Sequence, residues 1–172
     1  APVQVCRAHQ AVTKNVRGLV VNTGIANAGT GETGLADAKA TCEALAQLLD
    51  CKSEETLVFS TGVIMEPLPM DRLLAGLPKA VDNLAPNNWI EAAQAIMTTD
   101  TVRKESAYEL ELSSGTIRIG AMAKGSGMIH PNMATMLVFI TTDCAISPAM
   151  LQKALSTDIA NTFNMVSVDG DT

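Results

Sequence analysis

One short segment concentrates the residues that could carry out nucleophilic chemistry. Residues 124–137, KGSGMIHPNMATML, place two glycines, a proline and an asparagine ahead of an apolar run. Since Gly, Pro and Asn favour tight turns, the segment predicts a tightly turned loop that ends at Ala134-Thr135, at the mouth of a strand. A small residue followed by a hydroxyl at this point would allow Thr135 to attack the carbonyl of Ala134.

Such an attack would turn Thr135 into a self-sufficient nucleophile. An N-to-O acyl shift followed by hydrolysis leaves Thr135 with a free α-amino group beside its own hydroxyl. An α-amino group has an ordinary pKa of about 7.7 to 8.0, so near neutral pH its unprotonated fraction can act as the general base. Histidine is not needed, and we assign His130 and Asn132 to turn geometry. The structural alternative is that Thr135 begins a strand because of its β-propensity.

Composition and charge argue against several other functions. The chain has 172 residues, of which 47% are hydrophobic and 17% charged, and this predicts a globular protein. The net charge is −6 and the 12 basic residues are scattered, which argues against a nucleic-acid partner. No apolar run approaches the roughly 20 residues that span a bilayer, and no signal peptide is recognisable, so we expect a cytoplasmic protein with no membrane partner.

The cysteines and histidines do not have the spacing of a metal site. The chain has four cysteines and two histidines: Cys6, Cys42, Cys51, Cys144, His9 and His130. None of these residues forms a CxxC pair or a Cys/His cluster. We therefore predict buried free thiols and no metal. The glycine-rich segment 24–31 lacks both GxGxxG and the Walker ending, so no bound nucleotide cofactor is predicted either.

The first half of the chain predicts strands that end in glycine turns and are followed by helices. Residues 17–22 (RGLVVN) predict a buried strand ending at Asn22-Thr23-Gly24. A second strand, 56–60, runs into Thr61-Gly62, and a short helix at 70–77 is predicted to stop at Pro78, which lacks the amide proton of a helix interior. Between the two strands, apolar spacings of three and four predict a helix that carries Leu35, Ala38, Cys42, Leu45 and Leu49.

The second half predicts a hairpin, two helices and two more strands. Alternating residues at 108–112 and 116–123 flank Ser113-Ser114-Gly115, which is typical of a hairpin. The run 135–142 predicts a well-buried strand, and residues 163–168 (FNMVSV) predict another. Two helices complete the prediction, one capped by Asn87 with Ile90, Ala93 and Met97 on one face, and one opened by Ser147-Pro148 that carries Leu151, Leu155 and Ile159.

These elements favour a mixed α/β fold built as an α+β layered sandwich. The length suits a single domain over residues 1–172. The chain opens on APVQV without an initiator Met and stops at SVDGDT after a predicted strand, so we expect this domain to be incomplete.

Five segments in order resemble one enzyme family. They are VNTGIANAGTG at 21–31, STGVIMEPLP at 60–69, AIMTTDT at 95–101, KGSGMIHPNMATML at 124–137 and FNMVSVDGDT at 163–172. Through them the chain resembles the central part of the ornithine acetyltransferases, the glutamate N-acetyltransferases of arginine biosynthesis. The resemblance implies the self-processing N-terminal-nucleophile fold that this family shares with related aminopeptidases.

The resemblance also implies a reaction. Cleavage would fall between Ala134 and Thr135, giving an α-chain that ends at Ala134 and a β-chain that starts at Thr135. N-acetylornithine would acetylate Thr135, and glutamate would then take the acetyl group. Some members also accept acetyl-CoA as donor, which the sequence leaves open. The family's usual assembly is a heterotetramer with two copies of each piece, and its longer chain supplies further substrate-binding residues.

Four other positions match functional residues of this family. Thr61 and Gly62 match the oxyanion-hole pair, which must aim donors at the charge of the tetrahedral intermediate. Lys124 matches a lysine that would hold the α-carboxylate of the substrate. Thr98 matches a substrate contact, with a register open by about one residue because Thr99 and Thr101 are close. The structural alternatives are a strand-ending turn, a solvated lysine and a helix cap.

Two competing functions stay open from the sequence. An amide hydrolase or aminopeptidase on the same fold would use the same nucleophile and pass the acyl group to water. An uncleaved, non-catalytic fragment would serve only in assembly or binding. The fate of the acyl group on Thr135 separates these readings from the acetyltransferase.

Overall fold

A computed structural model describes residues 1–130 and 135–171. The chain forms two compact units, Ala1–Trp89 and Ile90–Thr172. Helices and sheets occur in both, which agrees with the predicted mixed α/β class. The prediction of a single, incomplete domain stays a prediction. Within the described residues, no helix has the length and apolar character needed to cross a membrane.

The first unit is built on a pair of parallel strands. Its elements are α1 (Pro2–Val12), β1 (Gly18–Ile25), α2 (Gly31–Leu48), β2 (Thr56–Val63) and α3 (Met70–Asp82). Parallel strands need a crossover connection, and α2 is the helix of that connection. The predicted strands β1 and β2 and the helix α2 are confirmed as elements. The predicted turns are wrong, because β1 continues through Asn22-Thr23-Gly24 to Ile25 and β2 continues through Thr61-Gly62. The predicted burial of β1 is wrong as well, since its residues are half-buried or exposed.

The core of the first unit lies where α1 and α2 pack against β2. Val5, Ala38, Cys42 and Val58 are each at most 2% exposed. Burial raises the pKa of the Cys6 and Cys42 thiols, although a hydrogen bond to each works against that rise. All four cysteines are free, as predicted, but only Cys42 is buried, so the predicted burial is wrong for the other three.

Helix α3 passes through the position where the sequence predicts its end. Pro78 lies inside the helix, which continues to Asp82. A proline in a helix interior costs about 3 kcal/mol, so packing must offset the cost. Helix α3 packs against α2, and Leu77, directly before Pro78, is 6% exposed.

The second unit is built on an antiparallel sheet of three strands in the order β3-β4-β5. Its elements are α4 (Trp89–Ala95, which begins at the unit boundary), β3 (Lys104–Leu112), β4 (Gly115–Lys124), β5 (Leu137–Thr142) and α5 (Pro148–Asp158). The predicted hairpin is confirmed, with Leu112 paired to Gly115 across a two-residue turn. The predicted cap of α5 is confirmed as well, since Ser147 Oγ accepts a hydrogen bond of 3.3 Å from the Met150 amide.

Two strand predictions in this unit are wrong in part or in whole. The strand predicted at 135–142 begins at Leu137, and its residues are half-buried or exposed, with Ile140 50% exposed. It lies at the edge of the sheet beside β4, so its apolar residues are less enclosed than those of a central strand. The strand predicted at 163–168 is a 3-10 turn, Phe163–Met165, followed by an isolated bridge at Val168. β-propensity depends on a neighbouring strand, and Val168 pairs with Ile129 alone.

Candidate active site

A buried carboxylate, Asp100, joins two of the segments that carry the family resemblance. Asp100 is 8% exposed. Its Oδ2 accepts a hydrogen bond of 3.2 Å from the amide of Thr98, and its Oδ1 accepts one of 2.9 Å from the amide of Gly125. The predicted substrate contacts Thr98 and Lys124 therefore lie on two segments that Asp100 holds together.

The charges around Asp100 keep it ionised. Burial acts to raise the pKa of Asp100, but hydrogen bonds from Lys104, Gly125 and Thr98 and the charge of Lys104 outweigh it, and the pKa falls to about 2. The side chain of Lys104, which forms the ion pair, is 44% exposed. At neutral pH the cluster thus contains a full negative charge that is paired with Lys104.

Lys124 is a buried cation beside this carboxylate. Only 3% of Lys124 is exposed, so it is not the solvated surface lysine of the structural alternative. Burial lowers the pKa of Lys124, the charge of Asp100 works to raise it, and the charge of Lys104 works to lower it. A lysine in this setting can bind an anionic group with little competition from bulk water.

A second contact joins the segment of Thr98 to the segment of Lys124. The hydroxyls of Thr99 and Ser126 lie 2.8 Å apart and share a hydrogen bond. Thr98 itself is half-buried and has its amide engaged by Asp100. Thr98 therefore contacts Asp100 through its amide, and the neighbouring Thr99 contacts Ser126 through its hydroxyl.

Thr135 lies close in sequence and in the sheet to this cluster. It is half-buried in a bend two residues before β5 begins, and β5 starts by pairing Leu137 with Lys124. A Cβ added to Gly125 would lie 3.7 Å from the Cα of Met136. Gly125 has φ +142°, a conformation that favours glycine, and an added Cβ would lie only 2.8 Å from Ile129 Cδ1, so both the backbone and the packing favour glycine here.

The predicted cleavage residue Ala134 and the loop residue Asn132 lie outside the described residues. The loop ahead of them is held by the end of the chain. The amide of Met128 donates to Asp169 Oδ2 at 2.9 Å, and Ile129 and Val168 exchange backbone hydrogen bonds of 3.2 and 2.6 Å. His130 Nδ1 lies 3.3 Å from Ser167 Oγ. The SVDGD segment therefore holds residues 128–130 in place.

In the first unit, Thr61 and Gly62 lie within β2 and do not form the plain strand-ending turn of the structural alternative. Thr61 is 5% exposed. Gly62 has φ +129° and is paired with Gly24, and a Cβ on Gly62 would lie 2.2 Å from the carbonyl carbon of Gly24. The backbone of Gly24 therefore leaves no room for a side chain on Gly62, whereas an added Cβ on Gly24 would meet nothing within 4 Å.

Polar atoms accumulate at the next positions of the same ladder. Asn22 pairs with Ser60, and the Asn22 amide group donates to the Ile25 carbonyl at 2.8 Å. Asn22 Oδ1 and Ser60 Oγ are buried and have no hydrogen-bond partner among the described residues. Unpartnered buried polar atoms are uncommon in apolar cores and are typical of functional sites, so this end of the ladder suits a polar ligand.

Asp100 is the functional candidate that sequence reasoning missed. A single Asp in the polar string TTDT predicts a solvated side chain, and its partners Lys104 and Gly125 lie 4 and 25 residues away. The sequence feature that could have indicated a role for Asp100 is its position directly after Thr98-Thr99, in a segment already assigned to substrate binding. Among residues 1–130 and 135–171, no group of three or more His, Cys, Asp or Glu side chains is arranged to hold a metal ion.

The chain has the fold of the N-terminal-nucleophile proteins. It is similar to the crystal structure of the ornithine acetyltransferase of Mycobacterium tuberculosis in complex with ornithine, with a TM-score of 0.69 and 38% identity over 79% of this chain and 70% of that one. It is equally similar to the arginine biosynthesis bifunctional protein ArgJ of Bacillus halodurans, with a TM-score of 0.68 and 40% identity over the same shares.

The sequence profile of the ArgJ family matches residues 1–172, and the chain belongs to that family. It is 50% identical over 183 aligned residues to the arginine biosynthesis bifunctional protein ArgJ of Colwellia psychrerythraea. That alignment covers all of this chain and 43% of the relative. The chain therefore spans less than half the length of this relative, and the predicted resemblance to the ornithine acetyltransferases is confirmed.

Proposed function

We propose that the protein containing this chain is a glutamate N-acetyltransferase, which moves an acetyl group from N-acetylornithine to glutamate through an acetyl-Thr135 intermediate. The observation that carries the proposal is the Asp100 cluster, which brings the Thr98 and Lys124 segments together beside the start of β5. Membership of the ArgJ family and the likeness to an ornithine acetyltransferase support it.

The charges of the cluster suit the proposed substrates. N-acetylornithine and glutamate both carry an α-carboxylate. Asp100 forms an ion pair with Lys104, and Lys124 adds a buried positive charge that suits one substrate carboxylate. Thr98, on the segment held against Lys124, supplies a hydroxyl for a further polar contact. One cation serves both half-reactions because the two substrates occupy the site in turn.

The chemistry starts with cleavage between Ala134 and Thr135. The freed α-amine of Thr135 takes the proton of its own hydroxyl, and the oxygen attacks the acetyl carbonyl of N-acetylornithine. Thr61 and Gly62 donate to the oxyanion of the tetrahedral intermediate. When the C–N bond breaks, the amine of ornithine leaves with the proton that the α-amine held. Glutamate then attacks acetyl-Thr135 through its amine, and the steps run in reverse.

The proposal includes the assembly. The α and β pieces stay associated after cleavage, in a heterotetramer with two copies of each, and the enzyme works in the cytoplasm. No bound cofactor takes part in acyl transfer to a threonine. Acetyl-CoA is a second candidate donor, to be tested in the same assay.

An acetyl-trapping experiment tests the proposal. The complete protein is incubated with N-acetylornithine bearing an isotopic label in its acetyl group, without glutamate, and the intact mass of each piece is measured. The expected result is one labelled acetyl group on the piece that begins at Thr135, retained until glutamate is added and then recovered as N-acetylglutamate. The variant Thr135→Ala serves as the control and should take up no label.

Two other outcomes would identify the competing functions. Rapid loss of the label to water as acetate, independent of glutamate, would indicate an amide hydrolase. Absence of any labelled piece, with Thr135→Ala and the unchanged protein alike, would contradict the acyl-enzyme and favour a non-catalytic role.

A further inference from the structure

We propose that Asp100 is a positioning residue, which sets the register between the two substrate-contacting segments. This inference rests on the proposed acetyltransferase function and assigns Asp100 a role in substrate binding through other residues. The observations behind it are the burial of Asp100, the use of both of its oxygens and the identity of its donors.

The side chain of Asp100 is enclosed and fully engaged. It is 1% exposed, and three donors converge on it: the amides of Thr98 and Gly125 and the ammonium of Lys104. A carboxylate can accept from all three because both oxygens are acceptors. An amide side chain at the same position would offer one acceptor oxygen and turn an NH₂ group toward the remaining donor.

The segments that Asp100 joins are also linked by the hydroxyl contact between Thr99 and Ser126 and by the β3-β4 ladder, which pairs Lys104 with Ala123. Of these contacts, those of Asp100 reach the backbone amides of both segments. Gly125 follows the end of β4 and adopts φ +142°, a conformation that the hydrogen bond from its amide helps to define. Gly125 directly follows Lys124 in the chain. A shift at Asp100 would therefore move Thr98 relative to Lys124.

Asp100 also acts on Lys124 by charge. The charged groups described around Lys124 are Asp100, which raises its pKa, and Lys104 on β3, which lowers it. Removal of the Asp100 charge should lower the pKa of Lys124, and removal of the Lys104 charge should raise it. Because a substrate carboxylate binds the protonated lysine, KM should rise as the pH passes the pKa of Lys124. The two changes therefore move this alkaline rise in opposite directions.

The test compares Asp100→Asn, Lys104→Gln and a matched control in the complete protein. The control is Glu109→Gln, which also converts a carboxylate to an amide but lies on exposed β3, with its side chain 57% exposed and paired with Arg118. For each protein, KM and kcat for N-acetylornithine and for glutamate are measured from pH 6 to pH 10, together with the melting temperature and the intact masses of the two pieces.

The expected result is a rise in KM of about tenfold for both substrates in Asp100→Asn, with a smaller change in kcat, since the loss of a hydrogen bond to a charged group weakens binding by about that factor. Its alkaline rise in KM should begin at lower pH than in the unchanged protein, and that of Lys104→Gln at higher pH. Glu109→Gln should match the unchanged protein within about twofold.

Two results would overturn the inference. One is a KM in Asp100→Asn equal to that of the control while the unchanged protein transfers acetyl groups. The other is an identical alkaline shift, or none, in both cluster variants. If Asp100→Asn does not fold, the test rests on Lys104→Gln, whose alkaline rise in KM should begin at higher pH than in the unchanged protein. Absence of that shift would refute the charge coupling between this cluster and Lys124. An unchanged protein that transfers no acetyl group would instead refute the proposed function.

Discussion

Asp100 combines burial with ionisation, and its surroundings explain why the two coexist. A carboxylate transferred from water into a protein interior ordinarily gains a proton, because the charged form loses its hydration. Two backbone amides and the Lys104 ammonium replace that hydration here. The two amides belong to the segments that carry Thr98 and Lys124. The hydrogen bonds that keep Asp100 ionised therefore also hold these two segments together.

Asp100 should make folding stability depend on acid pH. Its pKa is about 2 in the folded protein against an ordinary 3.8. Since the folded pKa is the lower one, the stabilisation is complete above about pH 4 and is lost as the pH falls towards 2, with a size of about 2 kcal/mol. Urea unfolding of the complete protein should show Asp100→Asn as the less stable variant at pH 7, with a difference that shrinks at pH 2.5.

The comparison has a clear opposite outcome. A difference between Asp100→Asn and the unchanged protein that stays the same from pH 7 to pH 2.5 would mean that the carboxylate charge contributes nothing. Glu109→Gln, whose carboxylate is exposed, should show little difference at either pH.

At the scale of elements, the ends of β1 and β2 form a narrow junction. Gly24 and Gly62 are paired across the ladder and both have positive φ, and the Thr61-Gly62 pair continues the strand without a break. Gly62 allows a backbone approach that a methyl group at this position would block. The proposed oxyanion donors lie at this junction. A change in its geometry should therefore affect both the stability of the fold and the rate of catalysis.

A pair of glycine variants separates the close approach from backbone strain. Gly62 and Gly115 have the same φ of +129°, but a Cβ at Gly115 meets nothing within 4 Å, whereas one at Gly62 clashes with the backbone of Gly24. Gly115→Ala should cost about 1 to 2 kcal/mol of unfolding free energy from its conformation alone. Gly62→Ala should cost about 2 kcal/mol more because of the clash, as measured by urea unfolding.

The two variants should also differ in activity. Gly62→Ala keeps the amide N–H but should lower kcat about a hundredfold, because the clash with Gly24 displaces this oxyanion donor, and Gly115→Ala should leave kcat unchanged. Equal stability losses in the two variants would show that the approach to Gly24 can relax, and an unchanged kcat in Gly62→Ala despite the larger stability loss would show that catalysis does not depend on the placement of this amide.

The elements that the sequence predicted well are those defined by local signals. Helix α2 follows from its apolar spacing, and the β3-β4 hairpin follows from Ser113-Ser114-Gly115 between alternating strands. The errors arise where distant partners decide the outcome. Packing against α2 carries α3 through Pro78, the edge position exposes β5, and the bridge to Ile129 replaces a strand at Val168.

The candidate site was predictable to the same degree. Family resemblance pointed to Thr61, Gly62, Thr98, Lys124 and Thr135, and their roles stay predictions. Asp100 was missed because its role depends on Gly125, whose amide is 25 residues away and reaches it only through the fold. Local spacing cannot reveal a hydrogen bond of that kind.

For the molecule as a whole, the proposed cleavage falls between two strands that are hydrogen-bonded to each other. β4 would belong to the α piece and β5 to the β piece, and their ladder runs from Ile119 and Thr142 to Lys124 and Leu137. The bridge between Ile129 and Val168 also joins the two pieces. Cleavage of the chain therefore leaves these contacts in place.

The pieces should consequently remain together after cleavage. A tag on the α piece should recover the β piece in equal amount at neutral pH, with separation only in denaturant. Size-exclusion chromatography with light scattering would check for the proposed heterotetramer. Recovery of the α piece alone under native conditions would show that the β4-β5 ladder does not hold the pieces together.

The central claim is that Thr135 cleaves the chain and then carries the acetyl group, and the most direct measurement is the intact mass and N-terminal sequence of the complete protein beside its Thr135→Ala variant. The account predicts a piece that begins Thr135-Met136-Leu137 in the unchanged protein and a single uncleaved chain in the variant. A single intact chain in both samples would contradict it, because the free α-amine that serves as the general base would then not exist.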